Sequence, residues 1–283
     1  MAKIDQMINN IKLTKEGKSM KGEIEHLKKG DAQLSWEESQ KNFVIRSLRE
    51  GKNLAEIISS IEDFEKAFAK VPKILGCSDG RIRDHRFGGA GDFILASEEE
   101  REKFISENRG KIKEVTSHEG CGAAGLKFEA MQEAGEALPD GVTTSDELGK
   151  YYVKELANKL DANYRHIEAR EMSGEIHNER AIYFDGTGKF NLNSLKEMPA
   201  GFISNSPKFN FSDEYCQQEL SALCSIALSD HGFGEKFTAE SPFYIIVTAQ
   251  NNEQLAKLKK IAESAVRQFD GRVAVDGFVA EKE

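Results

Sequence analysis

The run VPKILGCSDGRI occupies residues 71–82, and its reading decides the fold. Its first half is short and apolar and ends at Gly76, as a strand does. From here on the chain alternates short apolar runs with helical ones, the mark of a mostly parallel sheet covered by helices. Beyond the strand, Cys77, Asp79 and Arg81 follow at intervals of two. In extended backbone such residues project to one side. Packing alone gives no reason for a thiol, a carboxylate and a guanidinium in that rhythm.

Working outward, GDFILA (residues 91–96) reads as a second strand and KIKEVTS (111–117) as a third. Between them Ser97 and Glu100 form a capping box opening a helix to about Asn108. CGAAGLKFEAMQEAGEA (121–137) is helical in composition, and TTSDELGKYYVKELANKL (143–160) is a capped helix. RAIYFDGTGKFNL (180–192) reads as a hairpin turning at Asp185-Gly186. Beyond about Pro199 the pattern restarts, with a helix near Asp213 to Leu228, the strand FYIIVTA, a helix from Asn252 to Phe269 and the strand RVAVDGFV. Upstream, a helix opens at the Ser35/Glu38 box and closes at Gly51, and a second, about Leu54 to Ala69, carries Ile57, Ile58, Ile61, Phe64 and Phe68 on one stripe. Residues 1–30, lysine-rich and weakly patterned, read as a loosely docked arm. No internal repeat is evident. The expected architecture is an α/β fold: N-terminal arm and helices over 1–70, a parallel-sheet core flanked by helices over 71–198, and a small α/β appendage over 199–283.

Composition limits the functions. The 283 residues carry 39 basic against 48 acidic side chains, a net charge of −9, which argues against nucleic acid or an anionic membrane surface as partner. No apolar run reaches the ~18 residues of a membrane span. The start lacks the apolar core of a secretory signal, so a cytoplasmic protein is expected. Four cysteines are too few for a disulfide scaffold, and a reducing compartment leaves thiols free for metal or chemistry.

The chemistry lies at strand ends, where open parallel sheets build their sites. Cys77 follows the first strand and His118 the third; Cys121, three residues beyond His118, opens a helix whose positive end favours a thiolate. A lone strand-end cysteine is usually a small buried residue, and H-x-x-C alone is common. Together, Cys77, His118 and Cys121 make a Cys₂His set suited to Zn²⁺ with a fourth position open, the pattern of a catalytic site. Two thiolates cancel the charge of the ion, so a bound water needs help to lose its proton. Asp79 outside the metal can accept that hydrogen bond, and Arg81 can keep Asp79 ionised and off the metal.

At these residues the chain resembles the β-class carbonic anhydrases, whose zinc motif is C-x-D-x-R followed by H-x-x-C-G. Here the two parts are Cys77-Ser-Asp79-Gly-Arg81 and His118-Glu-Gly-Cys121-Gly122, and GAGDFILA (89–96) and AIYFDGTGKF (181–190) are similar to further family segments. The resemblance covers roughly residues 71–192. It implies a doubly wound, mainly parallel sheet, reversible hydration of CO₂ to bicarbonate, zinc on Cys77, His118 and Cys121, and Asp79 with Arg81 as the catalytic dyad. It also implies a homodimer or larger assembly in which the helices of residues 36–69 embrace a neighbouring subunit. The chain departs from the family in running from its second strand directly into a helix, and in a short separation of Cys77 from His118. Two other readings compete: hydrolysis of COS or CS₂ at the same zinc, and a non-catalytic zinc module.

Other residues carry less. Cys216 and Cys224 share a helix face as core thiols. His85 reads as a packing or surface residue, His231 as a loop histidine, and Arg83, Asp84 and Arg86 as a solvated ion-pair cluster. Gly88–Gly91 precede a strand, which separates them from a phosphate cradle.

Overall fold

The computed structural model describes residues 35–90, 96–173, 177–229 and 233–280. The arm of residues 1–30, most of the expected strand over 91–96, and His231 lie outside them. Among the described residues, eight strands form two parallel four-stranded sheets. The first holds β1 (Ile74–Gly76), β2 (Phe87–Gly88), β3 (Glu114–His118) and β4 (Asn163–Ile167) in the order β2-β1-β3-β4; the second holds β5 (Ala181–Asp185), β6 (Gly201–Ser204), β7 (Phe243–Ala249) and β8 (Val273–Val279) in the order β6-β5-β7-β8. The expected α/β class is what is found, with two sheets.

Helices cover the sheets as the apolar periodicity dictates. On the first, α3 (Glu98–Asn108) and α5 (Ser145–Lys159) bring Phe104, Ile105, Val153 and Leu156 onto Leu75 and Val115. Both helices begin with capping boxes, Ser97/Glu100 as predicted and Thr144/Glu147 in the helix expected only to be capped. Behind the metal-ligand candidates lies α4 (Gly122–Ala134). On the second sheet, alternate residues of one strand face opposite layers. Ile182 and Phe184 meet α6 (Asp213–Ala227) and α7 (Asn252–Val266), while Ala181 and Tyr183 meet α1 (Phe43–Arg49) and α2 (Leu54–Ser59). β5 and β7 are therefore buried along their whole lengths and mostly apolar.

Three expectations need correction. The helix over 35–53 is broken: residues 35–40 are helical, then Asn42 accepts hydrogen bonds from Val44 and Ile45 and starts α1 afresh. The helix over 54–69 stops at Ser59, because Asp63 takes a left-handed φ of 57° and only a 3₁₀ turn, Phe64–Phe68, follows. These segments place their apolar stripe on their own second sheet. Finally, the Asp185-Gly186 hairpin does not form. The Asp185 carboxylate accepts from the Thr187 and Phe190 amides, the Thr187 and Thr248 hydroxyls and the Asn205 amide, closing a tight loop instead of turning a strand back. β5 pairs in parallel with β6 and β7, so the second sheet crosses the boundary expected near residue 199.

Candidate metal centre

The first-sheet strands bring the three candidate ligands together. β1 and β3 are parallel neighbours, Leu75 opposite Val115, so Cys77 and His118 emerge at the same sheet edge. After His118, Gly120 takes a φ of 69°, a left-handed conformation that favours glycine, and turns the chain into α4. That turn is pinned by Gly120 N–H to Asp146 at 2.8 Å and by Glu119 N–H to Ile167 O at 3.0 Å. Cys121 becomes the N-cap residue of α4. The result is a buried group: Cys77 Sγ lies 4.0 Å from Cys121 Sγ, and the ligand atoms of Cys77, His118 and Cys121 all fall within 4.8 Å of one another.

His118 offers the test of whether a metal fits. Its Nδ1 lies 2.9 Å from the Glu119 carbonyl oxygen and so donates to it, while Nε2 is buried with no hydrogen-bond partner. A buried, unpaired ring nitrogen is costly unless something else binds it. A cation between two sulfurs and that nitrogen supplies the missing partner, and the Nδ1 bond fixes the ring as it does in metal-ligating histidines. The charges agree. Burial disfavours charge on His118, but the nearby Cys77 outweighs it and raises the imidazole to about 9. The hydrogen bond from Cys121 outweighs burial at Cys77 and, with the His118 charge, holds that thiol well below its ordinary range. This group could hold a metal ion.

Asp79 and Arg81 stand beside the ligands as a clamped pair. The Arg81 backbone N–H reaches Asp79 Oδ1 at 2.9 Å, Nε lies 3.0 and 3.2 Å from the two carboxylate oxygens, and Nη2 donates to Oδ2 at 2.6 Å. Oδ2 is 3.9 Å from His118 Nδ1. Burial would lift the Asp79 carboxyl, but these bonds, with the nearby His177 and the Arg81 charge, hold it well below the usual carboxylate range.

The sequence did not reveal several residues around this pair. Arg86, expected in a solvated cluster, is 2 % exposed, and its guanidinium donates to the carbonyls of Cys77 (2.9 Å), Ile82 (2.7 Å) and Asp79 (2.5 Å). It therefore holds the motif loop as a backbone clamp. The signal was Gly76: a Cβ there would meet Arg86 Cδ at 2.7 Å, so the glycine exists to admit that side chain. His177 and Glu179, whose side chains lie 3.2 Å apart, come within 4.8 Å of Asp79. Nothing in their local sequence marks them, since they approach through the tertiary fold.

The remaining candidates have structural places. Cys216 and Cys224 are buried in the second-sheet core, and burial pushes the Cys216 thiol up to about 12. His85 is part-buried, and its ring bonds the Lys189 backbone. Arg83 is exposed, whereas Asp84 pairs with Arg165. Among the described residues, no helix is long and apolar enough to cross a membrane. Comparison with protein-family models, with curated proteins and with solved structures finds no match for this chain.

Proposed function

We propose that the protein is a zinc-dependent carbonic anhydrase catalysing CO₂ + H₂O ⇌ HCO₃⁻ + H⁺. The observation that carries this reading is the buried Cys77, His118 and Cys121 group with an ionised carboxylate clamped beside it but outside it. Cys₂His ligation with one position left over is the donor set of catalytic zinc. When bound, zinc would supply an acidified water as nucleophile.

The chain's own residues do the rest. Asp79 accepts a hydrogen bond from the attacking water and turns its lone pair toward the carbon of CO₂. Arg81 engages both Asp79 oxygens, which keeps the carboxylate anionic and prevents it from swinging onto the metal. Arg86 fixes the loop so that the ligand and the dyad keep their separation. The buried thiols of Cys77, Cys121, Cys216 and Cys224 fit a reducing compartment such as the cytoplasm.

Zinc analysis combined with stopped-flow CO₂ hydration at pH 8 tests the proposal. A zinc-loaded protein no faster than buffer would overturn it. The same site could attack COS or CS₂, and sulfide release separates those substrates from CO₂.

A further inference from the structure

The order β2-β1-β3-β4 of the first sheet recurs in the second as β6-β5-β7-β8, every strand parallel. In both, the first two strands are joined without an α-helix, and helices follow the second and the third. Matching the Val-Thr pairs of β3 and β7 and then following the ladder register aligns the copies residue by residue. Leu75 faces Val115 in one sheet and Phe184 faces Val247 in the other, and from these valines the chain reads Val-Thr-Ser-His (115–118) and Val-Thr-Ala-Gln (247–250). Stepping along from that register, Cys77 corresponds to Gly186, His118 to Gln250 and Cys121 to Glu253. The second copy has lost the ligand set, and its room is filled: a Cβ on Gly186 would meet Leu258 Cδ1 at 2.7 Å and Gln254 at 3.0 Å.

The copies meet through equivalent surfaces. β2 lies against β6, the corresponding strand, so closely that a Cβ on Gly88 would fall 1.8 Å from Ile203 O. Gly88 N–H donates to Asn205 Oδ1 at 2.8 Å, and these two residues correspond to each other by the same register. Contact between equivalent residues is what a two-fold axis produces. On one side of it the loop after β1 meets β6, with Ile203 N–H donating to Ser78 O at 2.9 Å and Gly80 against Gly201. On the other side the loop after β5 meets the approach to β2, through His85 and the Lys189 backbone.

We propose that residues 74–167 and 181–279 are two copies of one unit assembled as a dimer within a single chain, and that the second copy, without a metal, is the partner that braces the metal loop of the first. The metal part of this inference rests on the carbonic anhydrase reading; the in-chain dimer does not. One chain then holds one zinc and completes its own site, with no second chain required.

Sedimentation and native mass measurement from nanomolar to micromolar concentration, with metal analysis of each species, test it. A single-chain mass carrying one zinc across the range is the expected result. An obligate dimer, or zinc confined to dimers, overturns the inference. A single-chain mass with no zinc supports the in-chain dimer and counts against the metal reading alone. The bracing is tested separately with Asn205→Ala, which removes the acceptor of Gly88 N–H on the strand beside β1 and should speed zinc release to a chelator about tenfold. Release at the parental rate from folded Asn205→Ala protein overturns the bracing role.

Discussion

Arg86 Nε donates to the carbonyl oxygen of Cys77 at 2.9 Å, joining the backbone of the first metal-ligand candidate to the residue that leads into β2. The same guanidinium serves Ile82 and Asp79, so one side chain sets the shape of the whole loop. Arg86→Leu would leave three buried carbonyls without this donor and should lower unfolding free energy by about 3–5 kcal/mol. Arg86→Lys should recover only part of that loss, because an ammonium lacks the planar fork. Urea unfolding of both variants checks the claim, and a Lys variant as stable as the parent refutes it.

Asp79 and Arg81 yield a prediction about chemistry rather than folding. Asp79→Asn preserves the size of the side chain but cannot hold a negative charge against Arg81. Zinc content should stay near one per chain while CO₂ hydration falls by about 100-fold or more, the scale of a lost proton acceptor. If zinc is lost with activity, Asp79 is a ligand and the site is a closed one. The carboxyl's depressed position also has a stability consequence. Its contribution is present above the unfolded carboxylate value and is lost as pH falls through the folded one, so Asp79→Asn should flatten acid unfolding.

Much of the candidate metal centre was legible in the sequence because its parts are local. Cys77, Asp79 and Arg81 sit within five residues, His118 and Cys121 within four, and the α3 and α5 capping boxes begin where Ser97 and Thr144 stand. Other features were hidden because they depend on distant partners. Asp185-Gly186 has hairpin chemistry, but Asn205 and Thr248 occupy the carboxylate that a turn would have used. The stripe over residues 54–69 keeps helical spacing across a break at Asp63, because all of it packs on one sheet face. The repeat is hidden in the sequence because little besides strand order, register and a shared Val-Thr pair preserves it: the candidate ligands Cys77, His118 and Cys121 correspond to Gly186, Gln250 and Glu253.

The Asp185 cluster predicts a second buried hub, separate from the metal. Asp185→Ala removes the acceptor for Thr187, Phe190, Asn205 and Thr248 at once and should cost about 3–5 kcal/mol. Thr248→Val removes one of those bonds and should cost about 1 kcal/mol. Thermal unfolding with metal analysis checks both, and zinc stoichiometry should be unchanged in folded Thr248→Val. Equal costs for the two variants would show that the Asp185 carboxylate is not the hub.

His118 predicts how metal capture depends on pH. In the metal-free protein its imidazole is raised from 6.5 to about 9, so the charged ring contributes stability that is complete below about 6.5 and fades as pH rises through about 9. Metal binding runs the other way, since the ion must displace the proton from the ring. Apparent zinc affinity should therefore climb at least about tenfold per pH unit between pH 7 and 9, because His118 gives up its proton and the Cys121 thiol that donates to Cys77 must also lose its own. Chelator competition across that range measures the slope. His118→Gln, which has no such proton, should bind far more weakly, with a shallower rise. A parental affinity flat from pH 7 to 9 would mean that the ring does not enter the coordination shell, and with it would go the proposed Cys₂His site.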